Sequence, residues 1–317
     1  MTKKTLLIVN PRAANGAAGR KFDQIAQAVR EQIGDHTHVF TESTMHAAEL
    51  TRAGLRDGAE LVIAVGGDGT LNEVVNGFFE VPVPGDEPRP INREAALAIV
   101  PHGTGGDFRR TVGIDAALNR AVKHLRGEKR AIDVGRCDYI DHQGKPAARY
   151  FINVAGCGVD AEIVDITNRS SKALGGKLSF MLASLRGMVG WTDVAMRATI
   201  DERAPEELTC TSFSVANGKF FGGGMMVAPA ARLDDGLFHA TIWSNFGIAE
   251  FAFKSGMLYD GSHVKLAGTR TLTARKLHLE AGAKAGARQI LIQLDGEGVG
   301  RLPATYTIVP GALQLLS

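Results

Sequence analysis

Apolar residues recur along the chain in two rhythms, and the change from one to the other divides it. Up to about residue 134, short β-branched runs at 5–9, 38–40, 61–65 and 96–100 alternate with stretches of helical spacing. Phe22, Ile25, Ala26, Val29 and Ile33 predict a helix over 22–33, and similar patterns predict helices over 45–56 and from Leu71 to about Phe79. Buried strands separated by amphipathic helices make a parallel sheet with crossover helices. Beyond that point strands follow one another at short intervals, at 130–137, 150–154, 194–200, 209–216, 238–243, 276–279 and 289–294. That is the texture of an antiparallel sandwich. The expected architecture is therefore a Rossmann-like parallel α/β domain over 1–134 followed by a β-sandwich over 135–304. The apolar tail 305–317 is able to close either one.

A chain of 317 residues is long enough for two cores, and nothing in its composition suggests disorder. Its 36 basic and 34 acidic residues are interspersed, for a net charge of +2. No concentrated basic field marks a nucleic-acid partner. No stretch approaches the roughly 18 apolar residues of a membrane span, and the run Leu6-Leu7-Ile8-Val9 stops at Asn10-Pro11, too early for a signal peptide. Cys137, Cys157 and Cys210 lack the spacing of a zinc site or disulfide framework and read as core residues in a reducing cytoplasm. His102, His263 and His278 show no ligand spacing either.

The chemistry concentrates in Gly66-Gly67-Asp68-Gly69-Thr70-Leu71-Asn72-Glu73, where a buried strand runs through glycines into a helix. Glycines let backbone N–H groups approach an anion, and the helix N-terminus adds partial positive charge. The segment reads as a phosphate cradle, with Asp68 facing the phosphates across a cation such as Mg²⁺. A tight turn capped by Asp68 or Thr70 is the structural alternative. Two more Gly-rich loops, 10–19 and 101–108, follow the first and fourth strands and would line the same crevice at the carboxyl ends of a parallel sheet. No Walker A pattern occurs, and Gly156-Cys157-Gly158 is a poor dinucleotide look-alike.

Together these blocks resemble the diacylglycerol kinase catalytic family, whose relatives phosphorylate sphingosine, ceramide and phosphatidylglycerol. Val9-Asn10-Pro11 is similar to its first loop, and the segment from Pro101 to Phe108 to its second. Asn217-Gly218, Gly222-Gly223-Gly224, Ala228-Pro229, Asp234-Asp235-Gly236-Leu237 and Leu294-Asp295-Gly296-Glu297 follow in the family's order. The resemblance implies an active site in the cleft between the domains and an ATP-dependent lipid kinase of phospholipid metabolism, acting at the membrane surface from the cytoplasm. It implies ATP contacts at Asn10, Pro11, Arg12, Ala13, Ala14, Thr41, the Gly66 to Glu73 segment and Thr104. Catalysis would fall to Glu297 as general base, with Asp295 and Asp68. A structural Mg²⁺ would be held by Asp235 and the carbonyls of Arg232 and Leu237. Bacterial relatives form dimers, which extends a homodimer as an expectation. Gly106 stands where the family usually has Asn, which puts that loop's role in question.

Other readings stay open at this level. Asp295-Gly296-Glu297 and Asp234-Asp235-Gly236 are also ordinary hairpin turns. Leu174, Leu178, Met181, Leu182, Leu185, Met188 and Val189 form a helical stripe flanked by Lys172, Lys177 and Arg186, which suits packing on the sandwich better than a membrane face. NAD kinases carry a similar Gly-Gly-Asp-Gly-Thr loop, and a catalytically silent lipid- or nucleotide-binding regulator could use the same scaffold.

Overall fold

The structure, a computed structural model, describes residues 4–103, 105–169 and 186–317. β1 (Thr5–Val9), β2 (Thr37–Phe40), β3 (Leu61–Gly66) and β4 (Ala96–Pro101) pair in parallel in the order β2-β1-β3-β4. Helices α1 (Ala13–Arg20) and α2 (Phe22–Ile33) follow β1, and α3 (His46–Arg56) follows β2. α4 (Asp68–Gly77) follows β3, while α5 (Asp107–Thr111) and α6 (Leu118–Ala121) follow β4. Alternation along each strand feeds two cores. Leu7, Val9, Ile63 and Val65 meet Ile25 and Val29 of α2 on one face. Leu6, Ile8 and Val62 join Leu55 of α3 with Val74 and Val75 of α4 on the other.

The chain then turns antiparallel through β5 (Lys129–Asp141), β6 (Pro146–Phe151), β7 (Val154–Gly158), α7 (Val159–Arg169), β8 (Val194–Ile200), β9 (Glu206–Cys210) and β10 (Ser212–Ala216). β11 (Phe238–Trp243), α8 (Ile248–Asp260), β12 (Thr269–Ala274), β13 (Lys276–Ala281), β14 (Leu291–Leu294) and β15 (Glu297–Leu316) complete it. Phe151, Phe213, Phe238, Ile292 and Tyr306 fill the sandwich. β15 starts against β14, runs between β13 and β5, and ends parallel to β4, with Gln314 opposite Ala96 and Leu315 opposite Leu97. One continuous mixed sheet therefore runs from β12 to β2. The tail returns to the parallel strands while the same strand closes the sandwich.

Two strands expected from the sequence are each divided in two. The run 150–154 breaks between β6 and β7, and 209–216 breaks at Thr211, whose N–H donates to Trp243 O instead of a continuous ladder. All three cysteines are buried and free. Among the described residues no helix is long and apolar enough to cross a membrane. Residues 174–185 of the expected apolar stripe, with Lys172 and Lys177, and Thr104 among the expected nucleotide contacts, lie outside the described residues. Of the remaining stripe positions, Met188 is buried and Val189 exposed.

Candidate active site

The loops that follow β1, β2 and β3 meet at the carboxyl end of the parallel strands, as an open α/β sheet requires of a ligand crevice. Asn10 ends β1: its Nδ2 donates to Thr70 Oγ1 at 3.0 Å, and its Oδ1 accepts from Arg12 N–H at 3.0 Å. The chain then turns through Ala14, Asn15 and Gly16 with φ of 51°, 55° and 81°. Thr41, whose N–H donates to Val9 O, ends β2. Asn10, Arg12, Thr41, Thr70 and Glu73 wall a polar cleft of about 170 Å³. α4 begins at its edge with Gly67 as N-cap. The first N–H groups of a helix lack intrahelical partners and carry its positive dipole end, which makes this mouth an anion site.

Asp68 departs from its expected position. Its carboxylate accepts N–H groups from Gly106 (2.7 Å), Asp107 (3.1 Å) and Phe108 (3.1 Å), so it caps α5 and pins the second Gly-rich loop to the first. The start of a helix holds a carboxylate firmly, and that occupies Asp68 without a metal. The two loops cross closely, since a Cβ on Gly103 would lie 2.5 Å from Gly67 Cα. Gly106, where the family has Asn, adopts φ 66° and ψ 45°. Gly and Asn are the residues most at ease in that left-handed region, so the exchange preserves the backbone.

Asn72 and Leu71 also differ from expectation. Both are buried within α4 rather than lining the polar cleft. Asn72 Nδ2 donates to Tyr150 O and to Asp295 Oδ2, and Asn72 Oδ1 accepts from Arg149. Glu73 keeps one edge of the cleft while its Oε2 accepts from Ala47 N–H at the start of α3. Asp295 is the partner on the sandwich side. Its carboxylate takes N–H groups from Ile152, Asn153 and Val154 as well as from Asn72. Burial pushes its carboxyl up, and these donors pull it back. With both oxygens saturated, Asp295 holds the hairpin between β14 and β15 and has no lone pair directed at a substrate.

That hairpin presents Glu297. A Cβ built on Gly69 would lie 3.2 Å from Glu297 Oε1, so the carboxylate lies beside the first turn of α4. Of the three carboxylates expected to be catalytic, Asp68 is part of the loop and turned to the second Gly-rich loop, Asp295 is bonded to Asn72 of α4, and Glu297 lies beside Gly69.

Comparison with known proteins matches both halves of the chain to one family. Residues 4–137 match the diacylglycerol kinase catalytic domain, and residues 153–317 match the YegS C-terminal NAD kinase beta sandwich-like domain. The chain belongs to the diacylglycerol kinase catalytic-domain family. A diacylglycerol kinase of Bacillus subtilis is 28% identical over 311 residues, covering 96% of this chain and 93% of that protein. One of Mycobacterium tuberculosis is 27% identical over 317 residues, covering 99% and 94%. The crystal structure of a diacylglycerol kinase from Bacillus anthracis superposes with a TM-score of 0.69 at 22% identity, covering 99% and 96%, which establishes the shared fold. The chain is thus a kinase of a lipid kinase family.

Within this family member, a second junction between the halves was not legible as a site. Asp107 accepts from Gly223 N–H at 2.9 Å and pairs with Arg110 at 2.9 Å. Burial and the nearby Asp68 raise its carboxyl to about 6. The expected magnesium ligands lie elsewhere, beside a cavity bordered by Asp133, Asp235 and Lys276. Asp235 Oδ1 accepts from Leu237 N–H, its Oδ2 faces His239 Nε2 at 2.9 Å, and Arg232 pairs with Asp234. Among the described residues no group of three His, Cys, Asp or Glu side chains could hold a metal. One carboxylate with the carbonyls of Arg232 and Leu237 suits only a hydrated Mg²⁺, and then in a structural role.

Proposed function

We propose that this kinase transfers the γ-phosphoryl group of ATP to a hydroxyl of a membrane-derived lipid such as diacylglycerol, with ATP on the parallel half and the lipid on the sandwich half. The placement of Glu297 Oε1 against Gly69 carries the reading, because a carboxylate facing a phosphate cradle is otherwise repelled by its ligand. It belongs there when it takes a proton in the reaction. The names of the two curated relatives reported above, both diacylglycerol kinases, support the lipid as acceptor.

Phosphoryl transfer is mostly positioning and charge neutralisation. The free N–H groups at the start of α4 and the Arg12 guanidinium gather the phosphates, and Thr70, fixed by Asn10, sets the loop. Mg²⁺ bound with ATP would neutralise charge on the phosphates. Glu297 accepts the lipid hydroxyl proton as the oxygen–phosphorus bond forms and the bond to ADP breaks. The test incubates purified protein with labelled ATP, Mg²⁺ and mixed micelles of diacylglycerol, with NAD in parallel. We expect label in lipid, falling about 10²- to 10⁴-fold in Glu297→Gln. Label in NAD alone, or undiminished lipid phosphorylation by the variant, would overturn the assignment.

A further inference from the structure

Outside the phosphate cleft, one cavity in the sandwich half combines apolar walls with an unsatisfied charge. It holds about 60 Å³ and is walled by Ile163, Met225, Trp243 and Leu258, with Asp160 and Ser212 as its polar end. Asp160 is 4% exposed. Its Oδ2 accepts a long hydrogen bond from Gln293 Nε2 at 3.3 Å, while its Oδ1 has no partner. Ser212 Oγ and the N–H groups of Asp160 and Ala161 are close enough to stabilise the carboxylate, yet Asp160 Oδ1 and Ser212 Oγ are left without a well-formed hydrogen bond. A buried carboxylate left half-satisfied is costly unless something fills the vacant position.

The backbone makes room for this group. A Cβ on Gly156 would collide with Asp160 Oδ2, which gives the glycine of the Gly156-Cys157-Gly158 segment a purpose unrelated to dinucleotides. Two hydrogen bonds tie residues at or beside this cavity to the reaction site. Gln293, which holds Asp160, accepts Gly296 N–H at 2.9 Å and so braces the hairpin that presents Glu297. At the opposite wall, Phe221 lies two residues from Gly223, which donates to Asp107 across the cleft.

We infer that Asp160 and Ser212 form a head-group subsite for the acceptor lipid, with the apolar walls taking the start of its chain, and that the preferred acceptor carries a second hydrogen-bond donor beside the reacting hydroxyl. The inference rests on the lipid-kinase reading. A diacylglycerol whose hydroxyl is engaged by Glu297 has only ester oxygens left, all acceptors, which Ser212 can serve and an ionised Asp160 cannot. A lipid with a neighbouring hydroxyl or amide N–H supplies the donor that Asp160 Oδ1 lacks.

The experiment compares KM for 1-octanoylglycerol, which has a second hydroxyl, with KM for 1,2-dioctanoylglycerol in mixed micelles. Wild type, Asp160→Asn and Ser212→Ala are assayed, with thermal melting of each as a folding check. Trp243 fluorescence, titrated with 1-octanoylglycerol in the absence of ATP, reads binding directly. We expect wild type to favour 1-octanoylglycerol by about tenfold, the worth of a hydrogen bond to a charged group. The preference should collapse towards unity in Asp160→Asn and narrow in Ser212→Ala, with the fluorescence titration weakening in parallel. An unchanged KM ratio and titration in a folded Asp160→Asn would overturn the subsite while leaving the lipid kinase intact. Phosphorylation of neither lipid by wild type would remove both readings.

Discussion

Four carboxylates show how environment separates residues of like chemistry. Asp68 and Asp295 are surrounded by N–H donors and act as internal anions that fasten loops, whereas Glu297 lies beside Gly69 at the start of α4. Asp68→Asn loses one acceptor oxygen and the charge at the start of α5. It should lower stability by about 1–3 kcal/mol, read as a reduced urea midpoint at unchanged slope. Asp160 differs again, since burial raises its carboxyl from 3.8 to about 6. Below about pH 3 both the folded and unfolded forms are protonated and burial carries no charge penalty. As pH rises through about 6 the unfolded chain has already ionised while the folded one resists, so stability is lost, by about 3 kcal/mol in all. Asp160→Asn should therefore flatten the fall in unfolding free energy between pH 4.5 and 8 by about 2 kcal/mol. Asp107, raised likewise to about 6, will leave a decline of the same sign. Parallel profiles for variant and wild type would show that Asp160 is not carrying the cost.

At the scale of elements, the loops are specified by what a Cβ would meet. Gly106→Asn keeps the left-handed backbone and should change stability by less than about 0.5 kcal/mol, while Gly106→Val should cost at least about 1 kcal/mol. Gly103→Ala drives a Cβ into Gly67 Cα, so it should destabilise the fold outright, as thermal melting would show. The same scale marks the limit of what the sequence reveals. Fully buried β1, β3 and β4 were legible because burial on both faces leaves an unbroken apolar run, and the Gly-rich loops were legible because their glycines are clustered. The break at Ile152 and Asn153 was not, because its cause, the Asp295 carboxylate, lies more than a hundred residues away. α8 was missed because its apolar residues form no narrow stripe, leaving Phe253 exposed while Leu258 is buried. The opposition of Glu297 to Gly69 was inferred only through family resemblance, since no local pattern joins two such distant segments.

For the whole molecule, β15 decides how the halves depend on each other. Its first residues carry Glu297, its middle closes the sandwich, and its last turn inward to bury Leu313, Leu315 and Leu316 against the parallel sheet. Side-chain ties cross between the halves as well, through Asn72 to Asp295 and Asp107 to Gly223, and Phe79 stacks on Tyr150 with ring centres 4.0 Å apart. A strand shared by two cores couples their unfolding, so calorimetry should show one transition whose calorimetric and van't Hoff enthalpies agree. Removing residues 311–317 deletes three buried leucine positions and one of the two strand partners of β4. The parallel half should lose roughly 5 kcal/mol, at about 1.5–3 kcal/mol for each such side chain. The single transition should then split, with amides of β4 exchanging hydrogen before those of β10 and β11. If the truncated protein still melted as one unit and protected β4 as the full chain does, the two halves would be held by the cleft contacts alone.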